Sequence, residues 1–140
     1  MKKFSFSAIL KETTERNRPD MKIKESAEDY LESILILKNK LGNVRSIDIV
    51  NYFDYSKPSI SVAMKNLREE QYIEMDHKGY ISLTEKGRVI AEKMFERHTL
   101  LTDWLISIGV DKKTAGEDAC RIEHVISEES FEAIKNLKNK

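Results

Sequence analysis

The stretch CRIEHVIS, residues 120–127, carries three side chains of metal-binding type: Cys120, Glu123 and His124. At i, i+3 and i+4 they share one face of a helix. Asp29 and Glu32 repeat the i, i+3 spacing in SAEDYLESIL, and His98 lies within FERHTLL. Six candidate ligands would thus come from three helices. Carboxylates with imidazoles suit divalent first-row ions, and a thiolate shifts the preference toward softer ones. Magnesium or calcium would want nearly all oxygen. A closed zinc site more usually shows paired cysteines, and no CxxC occurs here. Each residue also has an ordinary use. Asp29 suits a helix N-terminus through the dipole, Glu32 could face solvent, a lone cysteine is usually a small buried hydrophobe, and an isolated histidine such as His98 is usually hydrogen-bonded. Spacing alone leaves both readings open.

The elements that would position these residues follow from periodicity. Tyr30, Ile34 and Leu37 recur at helical spacing with Leu31 and Leu35 beside them. Ser26 followed by Asp29 fits the start of that helix, and Gly42-Asn43 its end. SIDIVNYF predicts a short helix with Ser46 as N-cap. Asp54-Tyr55 turns the chain into a third helix, with Pro58 in its first turn and Ile60, Met64 and Leu67 along one side. YIEMD and YISLT then alternate around His77-Lys78-Gly79, the pattern of a hairpin. Thr84 with Gly87 opens a long helix that Gly109 closes. Asp111 caps the helix bearing CRIEH, and Ser127 caps a last amphipathic one. This order predicts a mainly α fold: a winged helix-turn-helix domain over residues 25–84, then an all-helical domain over 85–140. Residues 1–24 read as an N-terminal extension.

Composition fits one compact unit. The chain has 140 residues, 40% hydrophobic and 34% charged, with 24 basic and 24 acidic side chains. Zero net charge excludes a strongly basic nucleic-acid coat and still permits a local basic face. One cysteine excludes an intrachain disulfide and fits a reducing cytoplasm. No apolar run approaches the roughly 18 residues that span a bilayer, and no signal-peptide cleavage pattern follows MKKFSFSAIL. No membrane partner is expected.

A helix-turn-helix presents the start of its second helix to the major groove. Here that start is Ser56, Lys57, Pro58 and Ser59, small hydroxyls and a cation suited to phosphate. Ser61 lies on the next turn, and Val62 is placed to meet a thymine methyl. Arg45, Lys65, Arg68 and the hairpin residues His77 and Lys78 complete a basic face for double-stranded DNA.

SAEDYLESIL, the proline-led third helix, LTEKG, FERHTLL and CRIEHVIS occur in an order that resembles the diphtheria-toxin-repressor and manganese-transport-regulator family of metal-dependent repressors. The likeness covers residues 26–138 and implies a winged-helix DNA-binding domain, a helical dimerisation domain, and metal between them. Manganese-type members place ligands at the positions of Asp29, Glu32, His98, Glu123 and His124. Iron-type members have methionine and a non-ligand at the first two positions, but cysteine at the position of Cys120. This chain mixes the two patterns, and four or five hard or borderline donors favour Mn(II) over Fe(II). Thr102 and Gly116 stand where an auxiliary site of iron-type members has ligands, so that site is not expected in its usual form. With the sequence ending at Lys140, a third, SH3-like domain is not expected either.

The resemblance therefore implies a metal-activated homodimeric repressor of metal-uptake genes, binding a palindromic operator, cytoplasmic and without a small-molecule substrate. Two other classes remain open: a winged-helix regulator indifferent to metal, and a hydrolase using the same cluster to activate water. No separate general base or substrate cleft is visible for the second, so no enzyme is expected.

Overall fold

The computed structural model describes residues 19–138, which form six helices and one hairpin. The order is α1 (Pro19–Leu41), α2 (Ser46–Phe53), α3 (Lys57–Glu69), β1 (Ile73–Met75), β2 (Ile81–Leu83), α4 (Glu85–Ser107), α5 (Lys112–Val125) and α6 (Glu128–Lys138). Residues 1–18, most of the expected extension, lie outside the described residues.

Helix α1 begins upstream of the start expected at Ser26. The run DMKIKE contains no glycine or proline to stop it, and Pro19 itself suits a first turn. The N-cap of α2 is likewise Arg45, one residue before Ser46. Asp48 accepts the Arg45 backbone N–H at 2.9 Å and so closes that end. The other expected caps are in place: Thr84, Asp111 and Ser127 each accept a backbone N–H from the first turn that follows. Ser56 does the same for α3.

Leu31, Ile34 and Leu37 of α1 meet Ile49 of α2, and Ile60, Met64 and Leu67 of α3, in one buried core. Val44, Ile73 of β1 and Ile81 of β2 close it. The strands pair antiparallel, Ile73 opposite Leu83, and Ile81 donates its N–H to Val44 at 2.7 Å. At the hairpin turn, Asp76 Oδ1 accepts from the Lys78 and Tyr80 N–H groups, both at 2.9 Å. Helix α4 enters beside this unit through Gly87, where an added Cβ would stand 2.1 Å from the Tyr72 carbonyl oxygen. Ala91 then joins the first core. Further along α4, Met94 and Leu101 are buried, and α4 packs along α5, where Ala115 and Ala119 are buried too. Small residues on α5 let the two helices approach closely, and this contact sets the site.

Candidate metal centre

Three helices bring the candidate donors together. Asp29 and Glu32 come from α1, His98 from α4, and Cys120, Glu123 and His124 from α5. The end of α5 is held by Arg97, a buried cation on α4. Its Nη1 donates to the Glu123 and Ile126 carbonyl oxygens, each at 3.0 Å, and its Nη2 to Glu128 at 3.0 Å. The guanidinium also lies 5.5 Å from the centre of the Phe131 ring. The backbone of Glu123 is thereby fixed before its side chain is considered.

Glu123 is fully buried and stands at the middle of the cluster. His98, Cys120 and Glu123 offer donor atoms within 4.8 Å of one another, and so do Asp29, Glu123 and His124. His98 Nδ1 lies 2.9 Å from Glu123 Oε2, and His124 Nε2 lies 2.8 Å from Asp29 Oδ1. His124 Nε2 is also 3.5 Å from Glu123 Oε1, which links the two triads. Glu32 belongs to neither triad; its buried carboxyl lies beside Glu123 and feels its charge.

Protons hold this cluster together. Burial and the Glu123 charge push the Glu32 carboxyl up to about 8, so it is largely neutral near pH 7 and can donate to its neighbour. The Cys120 sulfur and the Glu123 carboxylate hold the His98 imidazolium up at about 10. Burial of His124 works against its charge, but the contacts with Asp29 and Glu28 outweigh it and lift that ring to about 10 as well.

The donors fit a divalent transition ion. Buried Glu32 Oε2 and Glu123 Oε1 have no hydrogen-bond partner among the described residues. Lone pairs left in this state are costly unless a cation or a proton meets them. Nitrogen, carboxylate oxygen and one sulfur form a mixed set that suits Mn(II), Fe(II) or Zn(II) better than magnesium or calcium. Of the two positions matched to an auxiliary site, Gly116 offers no side chain, and Thr102 Oγ1 is buried without a partner among the described residues.

Two residues of the site escape a search by ligand spacing. Glu28 is buried beside His124, and Arg97 is buried beneath Glu123. Both leave a trace in the sequence. Glu28 and Glu32 share a face at i, i+4 next to apolar Leu31. Arg97 interrupts the apolar stripe Ala91, Met94, Leu101.

The candidate DNA-contacting side chains, Arg45, Ser56, Lys57, Pro58, Ser59, Ser61, Val62, Lys65, His77 and Lys78, are all exposed. Two of them also have structural work. Ser56 Oγ caps α3 and donates to Ser59 Oγ at 2.8 Å, and the Arg45 guanidinium lies 4.4 Å from the Tyr80 ring centre. The second contact ties α2 to the hairpin.

A winged helix-turn-helix followed by a helical half with a donor cluster defines a class, and comparison with known proteins identifies it. The iron-dependent-repressor metal-binding and dimerisation domain matches residues 84–140. An HTH-type transcriptional regulator of Methanocaldococcus jannaschii is 31% identical over 120 residues, covering 84% of this chain and 96% of that protein. The transcriptional regulator MntR of Escherichia coli is 31% identical over 117 residues, covering 84% of this chain and 76% of its own length. Among solved structures, the manganese regulator SloR superposes with a TM-score of 0.72 at 25% identity, covering 81% of this chain. A manganese-dependent transcriptional repressor in complex with manganese superposes with a TM-score of 0.70 at 27% identity, covering 79% of this chain. This chain spans about half the length of those two, 53% and 51%. The chain belongs to the diphtheria-toxin-repressor and manganese-transport-regulator family of transcriptional regulators. Its relatives are named as regulators, not as enzymes. No described helix is long and apolar enough to cross a membrane.

Proposed function

We propose that this protein is a metal-responsive repressor that binds DNA as a homodimer, with Mn(II) as its favoured ion and Fe(II) as the second. The observation that carries the reading is the pair of donor triads sharing buried Glu123, built from the helix pair α4–α5 and from α1 of the winged unit. His98, Cys120 and Glu123 would hold one ion, and Asp29, Glu123 and His124 a second, with the unpartnered Glu32 oxygen available beside them. When bound, the ion supplies the positive charge that imidazolium protons otherwise provide. Asp29 and Glu32 sit on the helix whose other residues, Leu31 and Ile34, pack into the core shared with α3. A grip between α1 and α5 therefore constrains how the recognition helix stands relative to the helical half. In a twofold dimer, that placement sets the separation of two recognition helices and the half-site spacing they can read. Exposed Phe95, Ile106 and Ile108 on and just after α4 give the helical half apolar surface for a second copy. Metal-uptake genes are the natural targets, because a repressor that gains DNA affinity with bound metal closes a homeostatic loop.

The test is direct. Duplexes selected from random sequence by the Mn(II)-loaded protein should be palindromic. They should bind at least tenfold more weakly in chelator, and Glu123→Gln should abolish the difference. Equal DNA affinity with Mn(II) and with chelator would sink the proposal and favour the metal-indifferent regulator.

A further inference from the structure

Glu28 precedes Asp29 on α1 and is matched to no ligand position, yet it is one of the few acids buried in the structure, 9% exposed. Among the described residues its Oε1 has no hydrogen-bond partner, and neither has Nδ1 of His124. These two buried atoms lie 3.6 Å apart. That is too long for a formed hydrogen bond and short enough for a small side-chain rotation to make one. Lys24 and Lys93 line the same cavity of about 570 Å³ as Glu28, but neither pairs with it; Lys93 leans to Glu128 at 3.8 Å. Leaving both buried atoms unpaired is costly, so each is the obvious remedy for the other.

We propose that Glu28 is the positioning residue of His124: it accepts the Nδ1 proton and so aims the Nε2 lone pair at the space between Asp29 and Glu123. A neutral imidazole keeps a single proton, and the partner of that proton decides which nitrogen is free to ligate. Here one turn of α1 reaches both ring nitrogens of His124, Nε2 through Asp29 at 2.8 Å and Nδ1 through Glu28. The ring keeps its orientation whether Nε2 carries a proton or faces a cation. The grip of α5 on α1 is thus prepared before any ion arrives, and a carboxylate behind the ring makes Nε2 a better donor. This inference rests on His124 being a ligand, and the experiment separates the two claims.

Mn(II) affinity is measured by competition with a chromophoric chelator for the wild type, Glu28→Leu, Glu28→Gln and His124→Ala. The unfolding temperature of each metal-free protein is measured alongside. Glu28→Leu, which removes the acceptor at similar volume, is expected to weaken Mn(II) by about 10–100-fold. Its metal-free unfolding temperature should stay close to that of the wild type, because leucine fills the volume and removes the buried carboxylate's desolvation cost together with its contact to His124. Glu28→Gln keeps an accepting oxygen and loses only the charge, so it should recover most of the affinity. In the Zn(II)-loaded protein, ¹⁵N shifts of His124 should report Nδ1–H in the wild type and a mixed tautomer in Glu28→Leu. Wild-type affinity in Glu28→Leu, with His124→Ala impaired, overturns the role of Glu28 alone. Wild-type affinity in His124→Ala overturns the ligand assignment and this inference with it. Equal weakening in both Glu28 variants, with lower unfolding temperatures, marks a packing defect and also overturns it.

Discussion

Three side chains in the cluster hold protons more tightly than they would in an unfolded chain, and this gives the metal-free protein a defined pH response. His98 and His124 stand at about 10 against an ordinary 6.5, and Glu32 at about 8 against 4.5. A group whose pKa is raised by folding lends stability below its unfolded value and withdraws it as pH climbs to the folded one. Glu32 therefore withdraws its share between about 4.5 and 8, and the two histidines between 6.5 and 10. All three act in the same direction. In chelator, the unfolding temperature should fall steadily from pH 6.5 to 9, most steeply where the windows overlap. Glu32→Gln should flatten the lower part of that fall. With saturating Mn(II) the slope should shrink, since the ion takes the place of the protons, and Mn(II) affinity should rise over the same interval. A flat metal-free profile would show that these groups are not proton-linked to folding. At this scale the sequence is only partly legible. The i, i+3, i+4 spacing locates Cys120, Glu123 and His124 on one face, and Asp29 with Glu32 on another. Ligand spacing does not single out Glu28 or Arg97. Their roles come from burial against a distant helix, which spacing along one helix does not contain.

The elements themselves were easier to read, because caps and apolar stripes are local. Ser56, Thr84, Asp111 and Ser127 all cap as their chemistry suggests. The errors at Ser26 and Ser46 also have local causes. A serine is a cap only if the chain before it leaves the helix, and nothing in DMKIKE forces that. At α2, the Asp48 side chain reaches back to Arg45 and moves the cap one position. Gly87 had a second function beyond helix initiation that periodicity could not reveal. Its missing side chain lets α4 lie directly against the Tyr72 carbonyl, which also accepts the Thr84 N–H at 3.1 Å. That junction carries the winged unit into the helix bearing His98. Gly87→Ala would drive a Cβ to 2.1 Å from a backbone oxygen, which no rotamer change relieves. The expected cost is about 3 kcal/mol, at the upper end for overpacking. Urea unfolding would show it as a lower midpoint at unchanged slope. Since α4 would have to shift, Mn(II) affinity should fall too, although Gly87 touches no donor. A variant with wild-type stability would show that the contact is slack.

At the scale of the whole molecule, the donor cluster lies where the two halves must agree. Helix α1 belongs to the winged core through Leu31 and Ile34, and reaches α5 through the Asp29–His124 contact at 2.8 Å. Helix α4 runs through both halves, with Ala91 in the first core and Leu101 buried further along. An ion held between α1 and α5 and a duplex held by α3 would both act on the same arrangement of these helices. Coupling of that kind is reciprocal by thermodynamic necessity. If saturating Mn(II) tightens DNA binding by some factor, a saturating selected duplex must tighten Mn(II) binding by the same factor. Free Mn(II) can be followed by its electron paramagnetic resonance signal during titration with and without the duplex, while anisotropy of a labelled duplex gives the other leg. Glu123→Gln, which preserves volume and removes the charge shared by both triads, should erase the two effects together. Lys65→Ala should instead weaken DNA binding at every metal concentration and leave the coupling factor intact, because Lys65 is exposed on α3 and belongs to neither donor triad. If neither leg moved, with Mn(II) bound equally well with and without the duplex and the duplex bound equally well with and without Mn(II), a common helix arrangement acted on by both would be excluded.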